Sequence, residues 1–436
     1  MWEHLRVSQL LADVLSRGSA SLLGLFLAIA TTISLMRTVV IPRALPSYIS
    51  DTVSRGVVGA FVGLSRLRRT YSARDSTLAW IGPSIILLQL ITWLVLYLIA
   101  FGLLIYGASG QDLGDSMRQS GSSLLTLGFA SINTEEQTII DFVAAATGPI
   151  VIAMLIGFLP TIYAAYLDRE VDVTMLSAVG GEPPWGPEIL ARSAVAEALD
   201  TLPTVMSDWA RWSTRLRMTH VIYPVLIWVR GTRATRHFVV SLISMLDAAA
   251  LQVSLNSKLP REESLALLLE GSQAMEVVYV SLFAKRNWSA RRAFTGEYSG
   301  ESRQAIRDAR YLPGWNRRLL AIQVASDRDA VRGLNRPAVT ALQAGAQQPL
   351  SITRADFDMA VDILRRAEFP IDRDLDEAWE HFRATRSRYE YAALQICRRL
   401  DATPAPWTGP RRTTTETIWP TLVVDVLPTI DGDATT

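Results

Sequence analysis

The side chains that usually carry chemistry are few in this chain of 436 residues: it has four histidines and one cysteine beside 43 basic and 42 acidic residues. His220 and His237 flank the apolar stretch YPVLIWV, and with Asp247 a metal site could be drawn from them. Surface or helix-capping histidines are the simpler reading, so no metal site is expected. Cys397 lies in the charged helical pattern AALQICRRL, where a buried free thiol fits better than redox chemistry. A phosphate loop, a dinucleotide fingerprint, a His-Glu-x-x-His pair and a paired-cysteine zinc pattern are all missing from the sequence. No catalytic residue and no cofactor is therefore expected, and the chain does not read as an enzyme. What stands out instead is residues 121–130, GSSLLTLGFA, a small, hydroxyl-bearing and apolar run set between two long hydrophobic stretches. Such a run suits a membrane interior without being helical throughout.

Three segments approach or exceed the ~20 apolar residues that cross a bilayer. They cover about 19–41, 81–106 and 138–167. The first ends in SLMRTVVIP with no small-residue cleavage pattern, so it reads as a retained helix, with Arg37 close enough to its end to reach the headgroups. The connection after it carries Arg43, Arg55, Arg66, Arg68, Arg69 and Arg74 against two aspartates, which marks the cytoplasmic side. The connection after the second span carries Asp112, Asp115, Glu135 and Glu136 against Arg118 alone, which places it outside. Trp80, Tyr106, Tyr163 and Tyr166 fall near span ends, as interfacial aromatics do. The expected topology has an external amino terminus and a cytoplasmic carboxy-terminal domain, in a multi-pass protein of the cell inner (plasma) membrane.

Within the basic connection, Ile49, Val53, Val57, Phe61 and Leu64 recur at helical spacing. That helix could lie along the inner membrane face or pack on the cytoplasmic domain. Beyond the third span, the Gly-Gly and Pro-Pro pairs of SAVGGEPPWGPE mark a boundary. Helical periodicity then runs to about Asp401, and the apolar run FVVSLISMLDAAALQVSL, with Asp247 at its middle, reads as a buried helix of a soluble bundle. The tail from Ala402 is rich in Pro and Thr and is expected to be disordered. The expected domains are 1–42 (amino-terminal segment and first span), 43–80 (basic amphipathic linker), 81–168 (helix, re-entrant loop, helix), 182–401 (cytoplasmic helical domain) and 402–436 (tail). A net charge of +1 gives no case for nucleic-acid binding.

The external connection is long, and its middle is apolar. QDLGDSMRQSGSSLLTL can form a short helix beginning near Asp112, after which Gly128 breaks the pattern. Non-helical backbone at membrane depth is tolerated only where protein encloses it or it lines a watery path. A span, a re-entrant helix, a glycine-containing strand and a second span make the layout of a cation-channel pore.

At this point the sequence resembles the bacterial potassium-channel-like proteins with a two-helix pore, because Thr126, Leu127, Gly128, Phe129 and Ala130 look like the T-x-G-[YF]-G selectivity filter. The resemblance covers about 81–168. It implies that backbone carbonyls of these residues replace the hydration shell of potassium ions in the pore, with the Thr126 hydroxyl at the inner end and the Phe129 ring bracing the strand. Ala130 stands where the second filter glycine belongs, Ser131 replaces an acidic residue and Leu125 a threonine. A left-handed alanine costs ~1 kcal/mol or more, so weakened potassium selectivity is expected. Gly157 and Pro160 in the third span suit a hinge or gate in an inner helix, and packing explains them equally well.

The expected fold class is thus an all-α membrane protein: three transmembrane helices, a re-entrant pore loop between the second and third, and a cytoplasmic α-helical domain. The expected function is a cation channel, homotetrameric because one pore loop per chain needs four chains to close a ring of carbonyls. The alternative is a non-conducting, membrane-anchored scaffold or sensor whose helical domain binds a partner. Either form has the lipid bilayer as a partner.

Overall fold

Helices account for the regular structure because the apolar residues recur every three to four positions and the turn residues fall between such runs. The computed structural model describes residues 2–41, 47–130, 135–283, 350–413 and 416–426, and no strand occurs among the described residues. The chain divides into two compact units, one of Met1–Leu64 with Trp80–Ala164, the other of Ser65–Ala79 with Ala165–Thr436. Among the described residues, five helices are long and apolar enough to cross a membrane.

In the first unit, α1 (Trp2–Leu35) continues through a π turn at Met36–Val40 and runs antiparallel to α4 (Ile81–Ala108), as the pairings of Arg17 with Tyr106 and Ser34 with Trp93 require. The first span is therefore part of a helix that begins well before residue 19. Lipid supplies no hydrophobic drive for helices to associate, so close approach by small residues does the work. A Cβ on Gly24 would lie 2.6 Å from the Ala100 carbonyl oxygen, and one on Gly107 would lie 2.7 Å from that of Arg17. Trp93 Nε1 donates to Ser34 Oγ at 3.1 Å, and Thr32 and Tyr97 hydroxyls pair at 2.8 Å. Arg17 donates to the carbonyls of Tyr106 (3.0 Å) and Ser109, satisfying the frayed end of α4. The basic amphipathic helix is α2 (Tyr48–Ser65), and it groups with this unit, Ile49 packing against the cluster that holds Leu35, Trp93 and Tyr97.

The second unit is built around α9 (Phe238–Leu255), every residue of which is buried. Its hydropathy is that of a core helix. Around it lie α7 (Gly186–Val195), α8 (Leu202–Ile222), α10 (Glu262–Phe283), α11 (Arg354–Arg366), α12 (Leu375–Arg386) and α13 (Glu390–Leu400). Asp247, the one charge of α9, is paired with Arg386 and accepts from Tyr389 Oη at 2.6 Å. Arg386 also donates to Glu390 (3.0 Å) and to the Trp407 carbonyl (2.7 Å), so each buried charge has a partner.

Two expectations about boundaries are corrected here. Region 43–80 is not a single linker, since α3 (Tyr71–Leu78) belongs to the second unit: Arg74 Nε meets Asp401 Oδ2 at 3.0 Å and Asp75 accepts from Arg230 at 2.7 Å. The tail is not disordered over 402–413 and 416–426. Thr403 and Thr408 are buried, Arg411 Nε donates to the Ala402 carbonyl at 2.6 Å, and Trp407 and Trp419 both set their rings edge-on to Trp185 at 5.4 and 5.3 Å. The tryptophans and the arginine supply the binding energy that the Pro- and Thr-rich composition hides.

Candidate functional site

The loop that the sequence singled out is built from α5 (Leu113–Leu124) and the six residues after it. Asp112 caps α5, its side chain accepting from Asp115 N at 3.1 Å, with Asp115 in the first turn where a carboxylate suits the helix dipole. The helix is rich in Ser and Gly, which lets it lie close to α4. Ser120 Oγ donates to the Leu98 carbonyl at 2.8 Å, and a Cβ on Gly121 would sit in ordinary contact with Leu98 at 3.5 Å.

On its other side α5 meets α6 (Glu135–Gly180), a helix unbroken by Pro149 and Pro160. Gly148 is the contact point, because a Cβ there would collide with the carbonyl of Leu124. Asp141, buried in α6, accepts from Gln119 Nε2 at 2.6 Å and from Ser123 Oγ at 2.7 Å, so one carboxylate ties down two turns of α5.

After Leu124 the backbone reverses onto the helix it has just left. Thr126 and Gly128 both hold positive φ, 56° and 70°, so left-handed residues alternate with others. Alternation of this kind turns successive N–H groups to one side. Here they converge on Ser122: Leu127 N donates to its carbonyl at 2.7 Å, Gly128 N more weakly at 3.4 Å, and Phe129 N and Ala130 N to its hydroxyl at 3.0 and 3.2 Å. In a planar trans peptide the carbonyl of one residue points opposite to the N–H of the next. The carbonyls of Thr126, Leu127, Gly128 and Phe129 are thereby directed away from Ser122, and none of them accepts a hydrogen bond among the described residues. The negative end of the α5 dipole lies beside them. Chemically, the turn presents these four carbonyl oxygens on its side away from Ser122.

Of the predicted site residues, 126–130 come together in this one turn, and two details differ from expectation. Ala130 is not among the residues of positive φ, so the strain expected there is carried by the β-branched Thr126 instead. The Phe129 ring is 56% exposed and lies against the Arg118 guanidinium at 5.4 Å, which the sequence did not suggest. Ser131, also named from the sequence, lies outside the described residues. Gly157 and Pro160 belong to a stripe of small residues on α6, Ala146, Pro149, Ala153, Gly157, Pro160 and Ala164, all exposed in the single chain. A Cβ on Gly157 would meet no atom of the described residues within 4 Å, so packing among them does not explain that glycine.

The roles of Ser122, Asp141 and Gln119 went unread in the sequence. The only available signal was a polar residue one or two turns before the glycine, which many helices share.

The histidine set forms no metal centre. His237 caps α9 by accepting from Val239 N at 3.3 Å, and His220 is buried with Nδ1 on the Leu216 carbonyl at 2.9 Å. Burial, reinforced by Arg169 near His220 and by Arg230, Arg169 and Arg411 near His237, holds both rings well below the ordinary imidazole range and therefore neutral. Asp247, occupied by Arg386 and Tyr389, is unavailable to them, and no group of three or more metal-ligating side chains occurs among the described residues. No protein-family model, curated protein or solved structure matches the chain.

Proposed function

We propose that the chain is the subunit of a homotetrameric cation channel whose filter is the backbone of Thr126, Leu127, Gly128, Phe129 and Ala130, akin to that of bacterial two-helix potassium channels. The observation that supports the reading is the set of carbonyls from Thr126 to Phe129, which accept no hydrogen bond from the described residues, on peptides held by N–H groups turned back onto Ser122. Exposed carbonyls in an apolar loop are costly in lipid unless they line a watery path or coordinate an ion. Four such rows around one axis would replace the hydration shell of potassium.

Topology supports the same reading. Residues 65–79 and the described residues from Ala165 onward belong to one compact unit, which a bilayer cannot divide. With this unit on the cytoplasmic side, as Arg66, Arg68 and Arg69 favour, α4 crosses outward, α5 and the filter enter from outside, and α6 crosses back. The amino terminus is then external. The stripe of small residues on α6, centred on Gly157, faces the conduction path and leaves room for water, with Gly157 and Pro160 as its most deformable point. The cytoplasmic helical domain assembles or regulates the ring.

The experiment is mass determination in nanodiscs followed by potassium flux in vesicles. A tetramer that passes potassium is expected. A monomer or dimer that passes no cation would instead favour a non-conducting scaffold with a partner-binding helical domain.

A further inference from the structure

We infer that Ser122 is the positioning residue for the outer half of the filter, and that its hydroxyl, not its backbone, sets ion discrimination there; the inference rests on the channel reading above.

The hydrogen bonds divide into two pairs. The peptide planes that carry the Thr126 and Leu127 carbonyls are fixed by N–H groups donating to the Ser122 backbone carbonyl, which any residue at this position would offer. The planes that carry the Gly128 and Phe129 carbonyls are fixed by the N–H groups of Phe129 and Ala130, which donate to Ser122 Oγ at 3.0 and 3.2 Å. One side-chain oxygen thus accepts from two consecutive amides, and with Ser122 only 2% exposed water does not stand in for it. Arg118, one helical turn earlier on the same face of α5, lies against the Phe129 ring at 5.4 Å and restrains the same outer residue from its side chain. Rotation of either outer plane would turn a carbonyl out of the row and change the size and number of ligands that meet the ion.

The test compares wild type with Ser122→Ala, Ser122→Cys and Ser122→Thr, all as full chains in vesicles, by bi-ionic reversal potential with potassium and sodium and by residue-resolved amide exchange. Ser122→Ala is expected to exchange the Phe129 and Ala130 amides about tenfold faster, the factor for one lost hydrogen bond of ordinary strength, with Leu127 and Gly128 unchanged. Its potassium-to-sodium permeability ratio should fall roughly threefold or more. Ser122→Cys, whose sulfur accepts weakly, should fall between, and Ser122→Thr should restore both readouts. A merely structural role would slow assembly or lower the melting temperature without moving the ratio. A conducting wild type whose ratio and exchange pattern are unaltered in Ser122→Ala overturns the inference and leaves the channel standing. A wild type that passes no cation removes the channel reading and this inference with it.

Discussion

Replacing Gly128 with alanine separates torsion from volume, because a Cβ there would meet no atom of the described residues within 4 Å while the residue holds φ at +70°. The methyl group is free in space, so its whole effect is on the backbone. A left-handed L-residue costs roughly 1–2 kcal/mol. That lowers the population of the native loop about 5- to 30-fold per chain, and a ring of four chains would feel about 4–8 kcal/mol in all. The expected outcome is faster amide exchange over 126–130 and loss of potassium flux, with the tetramer and the second unit's melting intact. D-alanine, introduced by ligation, is at ease at positive φ and should recover wild-type behaviour. An L-alanine variant with wild-type exchange and flux would refute the argument, since it would mean that the carbonyl row does not depend on the left-handed turn.

Removing the carboxylate in Asp141→Ala strands the buried Gln119 amide and leaves the Ser123 hydroxyl without its acceptor; about 1–3 kcal/mol is expected for each group so orphaned, read as a lower melting temperature in detergent. No change in melting would show that α5 is held by α4 alone. Trp419→Ala removes one edge-on ring from Trp185, worth about 0.5–1.5 kcal/mol, and should speed proteolytic cutting within 416–426 without changing the core. Acid should also weaken the second unit. His220 and His237 refuse protons when folded, whereas the unfolded chain takes them up near pH 6.5, so stability present above that pH is lost as it falls, by up to about 1.4 kcal/mol per pH unit for each ring. The carboxyl of Asp247, which burial raises, acts in the opposite sense, so the histidine share is read as the difference in slope from a chain that lacks both rings. A His220→Gln/His237→Gln chain whose melting shows the same slope would refute this assignment.

The long apolar helices were legible because bilayer thickness sets the length of an apolar run to look for, and the start of α5 because Asp112 and Asp115 are capping chemistry at the correct spacing. Asp247 read as a buried residue because a single charge amid apolar positions needs a partner, although nothing in the pattern pointed to Arg386, which lies 139 residues away. Ser122 was hidden for a different reason. Its role comes from two alternating left-handed residues, and only one of them, Gly128, advertises that conformation in its residue type. Thr126 adopts it against its own preference, held by the turn that follows α5. The tail misled because composition averages over residues, whereas Trp407, Trp419 and Arg411 act singly.

The most direct test of the central claim is the reversal potential of purified wild-type protein in a planar bilayer with potassium on one side and sodium on the other. The carbonyl row predicts a tetramer whose current reverses at a potential that favours potassium, and whose potassium current is lost in Gly128→Ala. A tetramer that conducts neither ion, or one whose current is untouched by that change, would contradict it.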